Sequence, residues 1–157
     1  MKIEIGCGLK PHKGYKTIDV EEYAKPDYLG DFRTMSFENL EEIRSHHLLE
    51  HFSREEAIKI IDTWYGWLSL GGKLIIETPD IEGICEQFSK ITGKKERYWL
   101  CRHLYGSQER DWAFHRDGWW EDKFKDILSS HGFKIISFRK NLSRKYLPNI
   151  LVIAEKI

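Results

Sequence analysis

Near its start the chain carries Gly6-Cys7-Gly8 directly after the alternation Ile3-Glu4-Ile5, and Asp19 follows Thr17-Ile18 eleven residues after Gly8. A glycine turn at the end of a strand lets backbone approach a ligand closely. A carboxylate at the tip of the next strand can accept hydrogen bonds from two ribose hydroxyls. The pairing suits a nucleoside-type cofactor. It does not suit a dinucleotide, whose fingerprint wants a third glycine and an acid about 20 residues on. A second candidate is His47-Leu48-Leu49-Glu50-His51, which spells H-x-x-E-H, an arrangement used by some zinc peptidases. That chemistry needs both histidines on one helix face. Ser53-Arg54-Glu55-Glu56 is a helix-start box and falls after the motif, so the required helix is broken. Zinc hydrolysis and a metal ligand set are therefore not expected, and His51 reads as a structural histidine. A third candidate is His115, an imidazole of near-neutral pKa inside Phe114-His115-Arg116-Asp117-Gly118-Trp119, an aromatic segment able to close over a site.

These groups need a scaffold, and periodicity supplies one. Lys2–Gly6 and Lys16–Val20 read as strands, separated by Gly8, Pro11 and Gly14. A crossover helix spanning a strand of roughly 15 Å needs about ten residues plus two loops, whereas extended chain covers that span in about five. The first crossover helix is thus expected to be missing or much reduced. After Ser53, the residues Ala57, Ile60, Ile61, Trp64, Trp67 and Leu68 recur at helical spacing as far as Gly71-Gly72. Lys73–Thr78 reads as a strand with Asp80 at its mouth, Glu82–Ile91 and Trp119–His131 as helices, and Phe133–Phe138 and Ile150–Glu155 as closing strands. Strands alternating with helices argue for an α/β sheet with ligands at the carboxyl ends of its strands. Lys94–Asp117, dense in aromatics, receives no assignment.

Four landmarks in order, Ile3–Gly8 with Asp19, Gly30-Asp31-Phe32, His47–Phe52, and Leu68–Ile76 with its Gly71-Gly72 turn, resemble the class I S-adenosylmethionine (SAM)-dependent methyltransferases, in particular the small type-11 kind. The resemblance runs from Ile3 to about Pro79 and reappears, less closely, in the closing strands. It implies a Rossmann-like, mostly parallel sheet with an antiparallel last strand. It also implies roles at SAM. Gly6, Cys7 and Gly8 would wrap the methionine part, with Glu4 steadying the loop. Asp19 would hold the ribose hydroxyls and Val20 would pack on adenine. Asp31 would accept from the adenine amino group beside Phe32, and Ser45 and His46 would face the sulfonium. The activity implied is methyl transfer from SAM to a small-molecule or sugar-like acceptor, with His115 and then His47 as candidate general bases. Two other readings are a nucleic-acid methyltransferase and a catalytically silent SAM-binding or regulatory protein. Intact Gly6, Gly8, Asp19 and Asp31 count against the silent one.

Composition narrows the rest. A chain of 157 residues is expected to form a single domain, with a substrate-facing insert over about 85–120. No apolar run reaches a membrane span, and with a strand expected at the N-terminus no signal peptide is expected. Cys7, Cys85 and Cys101 have neither paired nor metal-binding spacing, which fits a reducing cytoplasmic setting. Residues 1–82 hold 10 Lys and Arg against 16 Asp and Glu, while residues 83–157 hold 15 against 9. The basic second half either favours an anionic substrate or is a solvated face. Zero net charge and no long basic stripe argue against nucleic acid as partner. The six tryptophans leave a homodimer open. With no helix ahead of the first strand, either the aromatic segment or a second subunit would cover the cofactor.

Overall fold

The computed structural model describes residues 1–143 and 146–157. The strands are β1 (Lys2–Ile5), β2 (Lys16–Asp19), β3 (Tyr28–Leu29), β4 (Leu40–His46), β5 (Leu68–Pro79), β6 (Phe133–Ser143) and β7 (Leu147–Lys156). The helices are α1 (Arg54–Trp67), α2 (Ile81–Lys90), α3 (Lys94–Tyr105) and α4 (Glu121–Ser130). One seven-stranded sheet runs β3-β2-β1-β4-β5-β7-β6. Every pairing from β3 to β5 is parallel, and β7 is antiparallel to both its neighbours. The order of strands reverses between β1 and β4. That switch point opens a crevice at the carboxyl ends of the strands.

The chain passes from β1 to β2 through Gly6–Tyr15 without a helix, as the short, glycine- and proline-broken linker requires. The loop is held from within. Glu4, buried on β1, accepts from His12 N–H at 2.6 Å and pairs with His12 Nδ1 at 2.8 Å.

Helix α1 starts at the expected box: Ser53 Oγ accepts from Glu56 N–H, and the Glu56 carboxylate accepts from Ser53 N–H. Its apolar stripe, Ala57, Ile60, Ile61, Trp64 and Trp67, is buried against the sheet together with Trp119, Phe124 and Leu128. The glycines do not end it. The chain turns extended at Leu68, five residues before the strand start expected at Lys73, and Gly71-Gly72 lie inside β5. There the register against β4 jumps from Leu40↔Leu68 to Glu42↔Lys73. A Cβ on Gly72 would sit 2.8 Å from the Ser69 carbonyl oxygen and 2.9 Å from that of Leu40. The pair thus makes an irregularity in the strand, where side chains would collide, rather than a helix cap.

The unassigned segment contains α3. Leu100 is its buried residue, and it joins Ile84 and Leu147 in a small second core flanked by Trp99, Leu104 and Tyr146. Of the six tryptophans, Trp64, Trp67 and Trp119 are buried, while Trp112 and Trp120 keep exposed faces. Among the described residues no helix is long and apolar enough to cross a membrane.

Candidate functional site

A cleft of about 430 Å³ opens at the switch point, a size ordinary for a small-ligand site. Its floor is the bend after β1. Gly6 and Gly8 both take positive φ, +69° and +54°. A Cβ on Gly6 would lie 3.2 Å from Leu48 Cδ1, so that side chain clamps the bend from the β4 side. Asp19 ends β2 and braces the same bend. Its Oδ2 accepts from Gly8 N–H at 2.9 Å, and its Oδ1 accepts from Glu21 N–H at 2.9 Å. Two carboxylate oxygens offer about four acceptor sites, so with the Cys7 thiol also donating to Oδ2 at least one remains for a ligand. Cys7 is buried with its thiol 3.9 Å from Asp19 Oδ2. Burial, then the Asp19 charge, pushes the thiol up to about 11, so it stays protonated.

Asp31 and Phe32 also line the wall of the cleft. Phe32 is buried and packs edge-on to Phe52, while Val20 projects 57% exposed at the rim. Asp31 has a partner that the residue pattern did not suggest: both its oxygens accept from Arg33, at 2.7 to 3.0 Å. This pairing holds the Asp31 carboxyl below its ordinary value. Arg33 lies over Phe52 and within 3.6 Å of Glu56, so it ties the wall to the first turn of α1.

Where β4 ends, the structure separates residues that the resemblance groups. His47 borders the cleft; Ser45, His46 and His115 do not. Ser45 is buried, with its hydroxyl lacking a hydrogen-bond partner. His46 turns to Glu77 on β5, with Nε2 3.1 Å from Oε1. His47 adopts φ +51°, a left-handed conformation costing about 1–2 kcal/mol for an L-residue, and its N–H donates to the Glu77 carbonyl. That twist sets its Nδ1 3.1 Å from Glu50 Oε1. Burial alone would lower His47, but the Glu50 hydrogen bond and charge outweigh it and raise the imidazole above its ordinary value. Glu50 is 1% exposed. Burial pushes its carboxyl up, while His47, His115 and His51 together pull it below the usual range. His115 sits behind this group and burial drives it down to about 4, which makes it a weak base.

Several cleft residues received no individual role from the pattern. Glu21 and Tyr23 follow Asp19 by two and four residues; Leu48 lies inside the H-x-x-E-H run and Phe52 just after it; Trp112 and Arg116 come from the insert. The insert is anchored here by backbone, with Arg116 N–H donating to the Glu50 carbonyl at 2.8 Å and His115 N–H to that of Tyr105 at 3.1 Å. The aromatic segment thus supplies part of the cleft wall. Asp19, Glu21, Asp31 and Glu56 line it together with Arg33 and Arg116, leaving the lining net acidic.

No protein-family model matches the chain, and no curated protein matches it. Among solved structures it is similar to a SAM-dependent methyltransferase from Methanosarcina mazei, with 18% identity and a TM-score of 0.69 over 99% of this chain and 92% of that one. It is also similar to magnesium protoporphyrin IX methyltransferase from Synechocystis with bound S-adenosylhomocysteine, with 16% identity and a TM-score of 0.63 over 100% and 74%. A third is the N-methyltransferase NodS from Bradyrhizobium japonicum, with 17% identity and a TM-score of 0.63 over 99% and 84%. The chain has the fold of the class I SAM-dependent methyltransferases, a Rossmann-like α/β sheet.

Proposed function

We propose that the cleft binds SAM and that the protein transfers its methyl group to a small-molecule or sugar-like acceptor. The observation that carries this reading is the bend at Gly6–Gly8, braced by an Asp19 carboxylate with acceptor capacity to spare, at the switch point of the sheet. The residues fit the group. Carboxylates at positions 19 and 21 match ribose hydroxyls, and Phe32 and Val20 offer apolar contact to a purine. The net acidic lining suits a ligand whose reactive centre is a cation. Solved structures of this fold include a methyltransferase with SAM bound and one with S-adenosylhomocysteine bound.

SAM would supply an activated methyl on a sulfonium. The chain then has to orient an acceptor in line with it, exclude water and remove a proton where the nucleophile carries one. Trp112 and Arg116 stand on the insert side, where the acceptor would enter, and Arg116 would favour an anionic one. Of the two candidate bases, His47 borders the cleft and is held by Glu50, while His115 lies behind that pair. Its border position favours His47 as the group that would take the proton. Asp31 would meet adenine with Arg33 already bound to it, so the adenine amino group would share that carboxylate with a guanidinium.

Calorimetric titration with SAM, followed by transfer from labelled SAM into a metabolite and glycan extract, tests the proposal. The expected result is one binding site and label in a small product. Absence of binding at millimolar SAM refutes it.

A further inference from the structure

Six of the seven histidines gather around the ends of β4 and β5 and the insert that packs on them. Within that gathering two sets bring three donor atoms within 4.8 Å of one another: His46, His47 and Glu77, and Glu50, His51 and His115. The first set is already accounted for by hydrogen bonding, since Glu77 Oε1 takes His46 at 3.1 Å and Asn149 Nδ2 at 3.1 Å. The second is not. Glu50 is buried, its Oε1 is engaged by His47, and its Oε2 is buried with no hydrogen-bond partner. An orphaned carboxylate oxygen in the interior costs about 1–3 kcal/mol or more unless something binds it.

The two histidines are prepared as ligands. His51 Nδ1 lies 3.2 Å from the Phe114 carbonyl oxygen, which can only accept. A neutral ring that donates from Nδ1 to that carbonyl leaves the Nε2 lone pair for a ligand. An imidazole fixed through its far N–H to a backbone carbonyl is the usual outer arrangement of a metal-bound histidine. His115 Nε2 is 4.0 Å from Glu50 Oε1, and the His51 and His115 rings meet edge-on with centroids 4.8 Å apart. Tetrahedral zinc with bonds of 2.0–2.2 Å wants donors about 3.4 Å apart, so small side-chain rotations close the set.

We propose that Glu50, His51 and His115 bind a divalent transition ion of the zinc class. Two imidazoles and one carboxylate select such an ion over magnesium, which prefers an all-oxygen shell. His47 is then the outer partner that orients the Glu50 carboxylate. Three protein donors leave at least one position for water or an acceptor oxygen. Because His51 borders the cleft, the ion lies one side chain from the ligand space. It also joins two separate parts of the chain. Glu50 and His51 belong to the short 3-10 turn Leu49–His51, and His115 to the insert that carries Trp112 and Arg116. Binding would pin the acceptor side of the cleft in place. This is not the helix-borne peptidase arrangement, since His47 is no ligand and the run is not an α-helix.

The test uses protein stripped with chelator and titrated with Co2+, read by visible absorption, and with Zn2+, read by calorimetry. The proposal expects one equivalent bound with a ligand-field band of low-symmetry cobalt. His51→Ala and His115→Ala should each weaken binding by more than the 10- to 100-fold typical of losing an outer-shell partner. His46→Ala, which disrupts only the other set, should leave affinity within about twofold. Glu50→Gln adds a third ligand variant if it folds; the histidine variants keep the test readable if it does not. No band and no heat would overturn the proposal. So would affinity unchanged in both histidine variants, or lost in His46→Ala alone. The readout is the metal, so its outcome is separate from whether SAM binds.

Discussion

Replacing Asp19 by Asn separates a binding carboxylate from a mere turn brace. The wild-type side chain accepts from Gly8 N–H and Glu21 N–H, each at 2.9 Å, and would use its remaining lone pairs on the ribose. The Asn amide nitrogen cannot accept, so one of these partners is lost on the protein side and one on the ligand side. A hydrogen bond to a charged group contributes about 1.5–3 kcal/mol, which converts to a rise in the Kd for SAM of roughly 10- to 150-fold. Losing one loop bond should lower stability by about 1–2 kcal/mol, a fall in Tm of roughly 2–8 °C at this chain length. The protein therefore remains folded at 25 °C, and calorimetry with S-adenosylhomocysteine reads the binding loss directly. A variant that melts lower but binds within about twofold of wild type would refute the binding role and leave only the brace.

Gly6→Ala forces an L-residue to φ +69° and drives its Cβ to 3.2 Å from Leu48 Cδ1. It should cost about 1–2 kcal/mol in chemical denaturation, and weaken SAM binding further by moving the cleft floor. Ser53→Ala removes one half of the capping box and should lower stability by about 1 kcal/mol with SAM affinity unchanged. Asp27 is bonded to Lys16 Nζ and to Thr17 N–H and Oγ1, and the Lys16 hydrogen bond, with those from Thr17, lowers it from 3.8 to about 2. A depressed carboxylate contributes stability above its unfolded value and loses it as pH falls through its folded one. The Tm difference between wild type and Asp27→Ala should thus be constant above about pH 5 and shrink toward pH 2; a difference growing with acidity would contradict the pairing.

Local signals with one physical reading transferred well from sequence to structure. Ser53 with Glu56 can only start a helix, and the broken linker from Gly8 to Tyr15 is too short to contain one. Gly71-Gly72 misled because two readings of paired glycines compete. Here close approach to the Leu40 and Ser69 carbonyls decides, and that depends on a strand thirty residues away. Helix α3 was hidden because Leu100 is its single fully buried residue, set among charges and aromatics that show no stripe. At the site, Asp19 and the glycines were legible because main-chain geometry demands them. The division of labour among the histidines was not, since it turns on the left-handed backbone at His47 and on an insert brought in by tertiary packing.

The position of β7 has a consequence for how the molecule comes into being. It follows β6 in sequence, yet it lies between β5 and β6, pairing Lys73 with Glu155 and Pro79 with Asn149. Asn149 also reaches Glu77, and the Pro148 carbonyl accepts from Asp80 N–H and faces His103 Nε2. While a ribosome is still making residues 147–156, β5 presents a bare hydrogen-bonding edge, and the histidine gathering lacks its backing. A chain that has not yet added β7 therefore holds a sticky margin open to neighbours, and the middle of the sheet closes only when that strand slides in between β5 and β6.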